Sequence, residues 1–205
     1  MKLHDVPSFG VSRETEGKLA AFVDLLLRWN GRINLISARS AEDVWHRHVA
    51  DALQLLPLAP PSPERAIDIG SGAGFPGLVL AVAAGWETHL VEADKRKAAF
   101  LSQAASHLGL ANVRVYPRRV EAASLPEAAL LTARALAPLP TLLRYAHPLL
   151  APGGVALFPK GQTAEQELTN ASRDWSMRAE RFPSRTDPAS TILRISEIRP
   201  AGLEA

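Results

Sequence analysis

Apolar positions change their rhythm along the chain near residue 60. Before that point Leu19, Phe22, Val23, Leu26 and Leu27 recur at helical spacing, which predicts an amphipathic helix. Ser40-Ala41-Glu42-Asp43 resembles a capping box and predicts a second helix running through Leu56. The stretch Pro57-Leu58-Ala59-Pro60-Pro61-Ser62-Pro63 can continue neither a helix nor a central strand. Beyond it, strand-like runs at 65–70, 87–92, 112–117, 129–133 and 153–158 alternate with helix-like segments such as 95–109 and 139–150. That alternation predicts an α/β fold, a mostly parallel sheet wound with helices. Ser190-Thr191-Ile192-Leu193-Arg194-Ile195 is the clearest strand of the last part, which is expected to add one or two strands. The expected organisation is a helical extension over residues 1–58 and an α/β domain over 59–205.

One of these junctions carries chemistry. The strand Ala66-Ile67-Asp68-Ile69 breaks into Gly70-Ser71-Gly72-Ala73-Gly74-Phe75-Pro76-Gly77 and restarts as an apolar helix-like stretch. Closely spaced glycines at a strand-to-helix turn let the backbone approach a cofactor where a Cβ would collide. Gly72 to Gly77 also satisfies the dinucleotide fingerprint, and Glu92 lies about as far downstream as that fingerprint's ribose acid. Two details favour S-adenosylmethionine. Asp68, two residues before the first glycine, gives a D-x-G-x-G-x-G arrangement and is expected to help hold a cofactor that carries an ammonium group. S-adenosylmethionine also has one carboxylate and no pyrophosphate, so the loop need serve only one small anion. Candidate cofactor residues here are Asp68, Gly70, Gly72, Gly74 and Phe75.

Composition narrows the classes. The 205 residues suit one sizeable domain with an extension, and a hydrophobic fraction of 47% is ample for a core. A net charge of +2 permits a nucleic-acid partner without demanding one. With no cysteine, disulfides, thiolate metal sites and thiol nucleophiles are excluded. No signal-like or membrane-length apolar run is present, so a cytoplasmic protein with no membrane partner is expected.

In a doubly wound sheet the cofactor lies across the carboxyl ends of the first strands, which directs attention to three further places. Glu92 ends the second strand, where a carboxylate can accept from both ribose hydroxyls. Arg119-Val120-Glu121 follows the third, where backbone and acid can meet an adenine. Ala133-Arg134-Ala135 follows the fourth, and an arginine in an apolar run is costly to bury unless paired. Arg134 and Lys160, the latter after the fifth strand, are cations at the active edge and candidates to face an RNA phosphate, as is Arg119. His46 and His48 are poorly spaced for a shared metal, and no metal is expected. His48 and Asp51 share a helix face. Trp29 and Asn30 fit core and turn roles better than RNA contacts.

Taken in order, Trp29-Asn30-x-x-x-Asn34-Leu35, Arg47-His48-x-x-Asp51-x-Leu53, the glycine loop, Arg96-Lys97-x-x-Phe100-Leu101, Arg119-Val120-Glu121, Ala133-Arg134-Ala135 and Lys160-Gly161 resemble the small-subunit ribosomal RNA guanine-N7 methyltransferase family, RsmG or glucose-inhibited division protein B. The resemblance runs from about residue 20 to the C-terminus. It implies a seven-stranded class I S-adenosylmethionine-dependent methyltransferase fold with an N-terminal helical extension. It also implies methylation of guanine N7 in the 530 loop (guanine 527) of 16S rRNA, with the small ribosomal subunit as partner. By the same likeness Gly70 and Phe75 contact the cofactor, Val120 and Glu121 its adenine end, and Arg134 the active-site mouth, with the His48–Asp51 pair nearby. A monomer is expected. The chain departs from the family pattern at Glu92, where aspartate is common, at Asp94-Lys95, and at Ile36-Ser37, where Leu-Thr is usual.

Guanine N7 carries a lone pair and no proton, so its methylation requires no general base. No catalytic dyad is expected, and Arg134, His48 and Asp51 are candidates for positioning. Two other classes use the same loop: a small-molecule methyltransferase, and a nicotinamide-dependent oxidoreductase or non-catalytic nucleotide-binding module. Asp68 speaks against the second.

Overall fold

The computed structural model describes residues 10–202. The apolar runs form five parallel strands: β1 (Arg65–Ile69), β2 (Glu87–Val91), β3 (Val113–Tyr116), β4 (Ala128–Thr132) and β5 (Leu150–Lys160). Two last strands follow, β6 (Trp175–Pro183) and β7 (Thr191–Pro200); β7 lies between β5 and β6 and runs antiparallel to both. The sheet has the seven strands expected, in the order β3-β2-β1-β4-β5-β7-β6. The chain leaves β1 in one direction toward β2 and β3 and returns to its other side with β4, so a crevice opens at the carboxyl ends of β1 and β4.

Helices cover both faces. Every residue of α4 (Gly77–Ala84) from Gly77 to Val82 is buried, which accounts for its lack of a polar stripe. It ends at Gly85, whose φ of 72° gives the left-handed cap that a Cβ would disfavour. Asp94 caps α5 (Lys95–His107) by accepting from the backbone N–H groups of Arg96 and Lys97. Helices α6 (Leu139–Ala146) and α7 (Ala164–Ala171) pack into the core that holds Ile67, Ile69, Leu131 and Phe158.

The N-terminal helix α1 (Arg13–Asn30) is capped by Ser12, whose hydroxyl accepts from Thr15 N–H. Leu19, Phe22, Val23 and Leu26 are buried as their spacing predicts. Leu27 is instead 41% exposed, and Leu25 takes the inward place. Phe22 meets Phe75 at 5.4 Å and Phe100 at 6.3 Å, so α1 shares one core with α4 and α5. Trp29 packs on Phe100, and Asn30 Oδ1 accepts from Leu35 and Ile36 N–H, closing the turn.

The continuous helix expected from Ser40 to Leu56 is broken. Ser37, not Ser40, caps a short helix α2 (Ala38–Glu42), because Ser40 N–H donates to the Ser37 hydroxyl. The backbone departs from helix at Asp43 (φ −127°, ψ 39°) and resumes as a wide π-helical segment over Trp45–Ala50, followed by α3 (Asp51–Leu53). Such widened turns occur disproportionately at functional sites.

Gly77 packs against β1. An added Cβ there would stand 2.5 Å from Asp68 Cβ and 2.6 Å from Leu90 Cδ2, both fixed in the core. Gly77→Ala should therefore destabilise the fold by about 1–3 kcal/mol despite alanine's better helix propensity. A urea midpoint equal to the parent's would show that α4 can slide away from the strand at no cost.

Candidate active site

A cavity of about 530 Å³ lies at the carboxyl ends of β1 and β2 and under the segment that follows β4, a size ordinary for a cofactor site. The glycine loop forms its floor. Gly70, Gly72 and Gly74 have φ of 68°, 55° and 93°, so the turn needs glycine three times within five residues. At Gly72 a Cβ would find only Gly70 O, 3.8 Å away, so this edge of the loop is open. Glu92 pins the loop to β2: its Oε2 accepts from Gly72 N–H at 2.8 Å and its Oε1 from Asp94 N–H at 2.7 Å. Each oxygen keeps a second lone pair, and Glu92 is on the cavity wall. Arg119, Val120 and Glu121 form another wall, where Tyr145 donates its hydroxyl proton to Glu121 Oε1 at 2.6 Å. That bond holds the Glu121 carboxyl below the usual range.

Arg134 stands at the far end of the cavity, but it is not free to take an anion alone. Its Nη1 donates to Asp51 Oδ2 at 3.0 Å and to the Arg47 carbonyl at 3.2 Å. Its Nη2 lies 2.7 Å from His48 Nδ1. A guanidinium has no acceptor, so His48 Nδ1 must accept and the proton sits on Nε2. Burial, then the charges of Arg134 and Arg47, pull the His48 pKa down to about 3, so the ring is neutral at physiological pH. Phe75 supports both groups: the imidazole stacks on it at 4.8 Å, and the guanidinium carbon is 5.6 Å from its centroid. Among the described residues, the buried His48 Nε2 has no hydrogen-bond partner.

Three expectations need correction. Asp68 does not line the cavity; it is 1% exposed, and its Oδ1 accepts from the Thr132 hydroxyl at 2.6 Å. Its carboxylate lies behind the loop, against Gly77, and joins β1 to β4, because the side chain of a residue in a central strand points to a covered face. Gly74 also faces inward: a Cβ there would press on Leu78, Phe22 and Leu101 at 3.1–3.3 Å, so its smallness serves packing. Lys160 is committed elsewhere. Its Nζ donates to Glu167 Oε2 at 2.8 Å and to the Ala137 carbonyl at 2.9 Å, and its side chain is only 10% exposed. The ammonium is paired with Glu167 of α7 and braces the segment after β4, so it reaches the second cavity as a neutralised group and not as a free cation.

That segment separates the first cavity from a second of about 1010 Å³. Arg134, Ala135 and Leu136 line both. Ala135 has φ 53°, a conformation that costs a residue with a Cβ and is held by what surrounds it. Leu136 is 39% exposed, and its methyl groups lie over Gly70. Sequence reasoning passed over Leu136, Tyr145, Gln54 and Thr186. The cost of an arginine in an apolar run and the resemblance carried by Ala133-Arg134-Ala135 were what pointed to this segment.

The family model described as rRNA small subunit methyltransferase G matches residues 15–188. Ribosomal RNA small subunit methyltransferase G of Granulibacter bethesdensis is 58% identical over 92% of this chain and 88% of its own length. The protein of the same name from Rhodospirillum centenum is 52% identical over 96% of this chain and 91% of its own. Among solved structures, a ribosomal protein L11 methylase from Lactobacillus delbrueckii superposes with a TM-score of 0.59 at 17% identity, covering 74% of this chain and 78% of that one. An O-methyltransferase from Bacillus cereus, solved with SAH, gives 0.58 at 15% identity over 86% and 91%. These two likenesses concern the fold. No described helix is long and apolar enough to cross a membrane. No cluster of His, Cys, Asp or Glu among the described residues could hold a metal ion.

Asp68 sets a pH dependence. Burial raises its pKa to about 6, opposed by the Thr132 hydrogen bond, by the nearby Ser71 hydroxyl and Gly77 N–H and by the Arg134 charge, while Oδ2 has no hydrogen-bond partner among the described residues. Because the folded state holds this proton more tightly than the unfolded chain, the associated stability is complete below about pH 4 and is lost as pH rises through about 6. Asp68→Asn removes that titration. Between pH 4 and 7 the variant should gain on the parent by roughly 2–3 kcal/mol in urea unfolding. A constant difference across that window would mean Asp68 stays ionised in the folded protein.

Proposed function

This chain belongs to the rRNA small subunit methyltransferase G family, and from that premise we propose that it methylates N7 of a guanine in the 530 loop of 16S rRNA, with S-adenosylmethionine as methyl donor. One observation carries the chemical part of this reading. Where the two cavities meet, the titratable side chains are bonded to one another: Asp51 to Arg134, Arg134 to His48, and His48 held neutral with its proton on Nε2. Such a cluster has no group poised to remove a proton at neutral pH. Guanine N7 has none to remove, so the arrangement suits a nucleophile that is already a lone pair.

The first cavity fits the cofactor's parts. Gly72 offers an edge free of side chain, Glu92 has lone pairs to spare for two ribose hydroxyls, and Val120 and Glu121 pair an apolar surface with an acid for the adenine. When bound, S-adenosylmethionine supplies an electrophilic methyl group. The chain's own work is then alignment and exclusion of water, which in favourable intramolecular cases contributes about 7–11 kcal/mol to lowering a barrier. Arg134, fixed by Asp51 and His48, and Leu136 border both cavities and so restrict how a base can approach. The RNA path is assigned to Arg119 and to the faces of the second cavity, with the protein acting as a monomer in the cytoplasm, where ribosomes are assembled.

The reading has a direct test. Labelled methyl transfer from S-adenosylmethionine to 16S rRNA or a small-subunit particle should occur, and 7-deazaguanine at the target should abolish it, since the N7 lone pair is then absent. Undiminished labelling of the 7-deaza RNA would mean that another atom is methylated, and transfer only to a small molecule would favour that alternative.

Glu92→Ala should weaken S-adenosylmethionine binding at least tenfold, because hydrogen bonds from ribose to a charged acceptor are lost and the loop is released, about 1.5–3 kcal/mol for one such bond. Calorimetry with S-adenosylmethionine and with NAD checks this. Tight NAD binding without a response to S-adenosylmethionine would overturn the methyltransferase assignment.

A further inference from the structure

Asp51 makes its pair with Arg134 through Oδ2, and its other oxygen is held from an unexpected quarter. Oδ1 accepts from the Thr186 hydroxyl at 2.8 Å and from Gln54 Nε2 at 2.8 Å. Thr186 belongs to the segment 184–190 that joins β6 to β7, some 130 residues away in sequence. Gln54 is 2% exposed and ties that segment in place: its Nε2 reaches the hydroxyls of Ser184 and Thr186 at 3.2 Å, and its Oε1 accepts Arg185 N–H at 2.7 Å. The segment also braces itself, through Ser184 N–H to the Ser190 carbonyl and the Ser190 hydroxyl to Asp187.

We infer that Thr186 and Gln54 are positioning residues for methyl transfer, acting through Asp51 to fix the Arg134 guanidinium at the junction of the two cavities. A carboxylate rotates easily about its last bond. With Oδ1 held by two donors, Oδ2 has one direction left, and Arg134, forked between Asp51 and His48, is fixed with it. Arg134 in turn lies just beyond β4 and leads into Ala135, whose positive φ sets where Leu136 lies over Gly70. The C-terminal hairpin thereby holds one wall of the substrate side in register with the cofactor loop. Neither Gln54 nor Thr186 lines the first cavity, so their influence should fall on turnover and not on cofactor affinity.

This inference rests on the rRNA methyltransferase reading, and the experiment separates the two. Thr186→Val keeps the shape and removes the hydroxyl, whereas Thr186→Ser keeps it. With the full chain and 16S rRNA as substrate, Thr186→Val should lower kcat by roughly tenfold to a hundredfold, the scale of a modest misplacement near reacting atoms. KM for S-adenosylmethionine and the thermal midpoint should stay close to the parent's, and Thr186→Ser should recover most of the rate. Because the effect passes through Asp51, adding Thr186→Val to Asp51→Asn should lower kcat little beyond Asp51→Asn alone. A Thr186→Val enzyme that turns over like the parent, a serine variant as slow as the valine one, or effects that multiply would each overturn the inference. Failure of the parent itself to methylate rRNA would instead overturn the function on which it rests.

Discussion

A guanidinium cannot give up its charge, and Arg134, only 22% exposed in its side chain, must be satisfied where it stands. Its acceptors all come from one stretch of the N-terminal part: the Arg47 carbonyl, His48 Nδ1 and Asp51 Oδ2. That requirement ties the end of β4 to the widened helical turn before α3. Much else follows. The π-helical path of Trp45–Ala50 offers a carbonyl, an imidazole and, just beyond, a carboxylate to one fork. Phe75, buried at the loop, supports the guanidinium and the imidazole and continues into Phe22 of α1. The N-terminal helices therefore complete the site as well as the core, and loss of the Asp51 carboxylate would leave a partly buried charge without its counterion.

The glycine loop divides its residues between two faces for a similar reason. Gly70 and Gly72, with Glu92, face the cavity, whereas Gly74, Gly77 and Asp68 face the core. A loop that must pass close to a ligand on one side and to β1 and α4 on the other has no room for side chains on either. Asp68 answers to the inner side: it links β1 to β4 through Thr132, the two strands whose separation opens the crevice. Its charge is held there at a cost in stability, visible in its raised pKa.

The inner strands were legible because strands covered on both faces are largely apolar runs, while the edge strand β3 alternates with the exposed Arg114, and all five runs from 65 to 158 correspond to strands within a few residues. The loop was legible because few other structures require that density of glycine. What sequence could not convey was direction. Asp68 sits where a cofactor-facing acid should, yet one step of the pleat decides whether a side chain meets ligand or core. Lys160 stands at the right edge of the sheet, but Glu167, in the first turn of α7, folds back to meet it. Local spacing also misplaced a helix cap by three residues, since Ser37 and Ser40 are equally good caps until the chain's turn at Asn30 fixes which comes first. Gln54 lies in no motif at all; besides Asp51, its partners Ser184, Arg185 and Thr186 are about 130 residues distant, and only the closed fold brings them together.

Charge at the junction completes the physical picture. A donor bearing a sulfonium and a base that becomes cationic on N7 methylation are both repelled by a lone arginine. The charge passes from sulfur to base without changing in total, so the repulsion weighs on binding: two unit charges about 6 Å apart repel by roughly 3 kcal/mol at an effective dielectric near 20, about a hundredfold in affinity. Arg134 avoids that penalty because Asp51 neutralises it and His48, its proton fixed on Nε2, adds no charge. The trio thus holds a mutually hydrogen-bonded cluster with no net charge at the meeting of the cavities. Removing Asp51 would expose the cation that the reaction must avoid. Removing Arg134 would leave an uncompensated carboxylate and a loosened ring. In such a site shape is maintained by ions whose fields cancel, and that cancellation makes an arginine tolerable beside cationic chemistry.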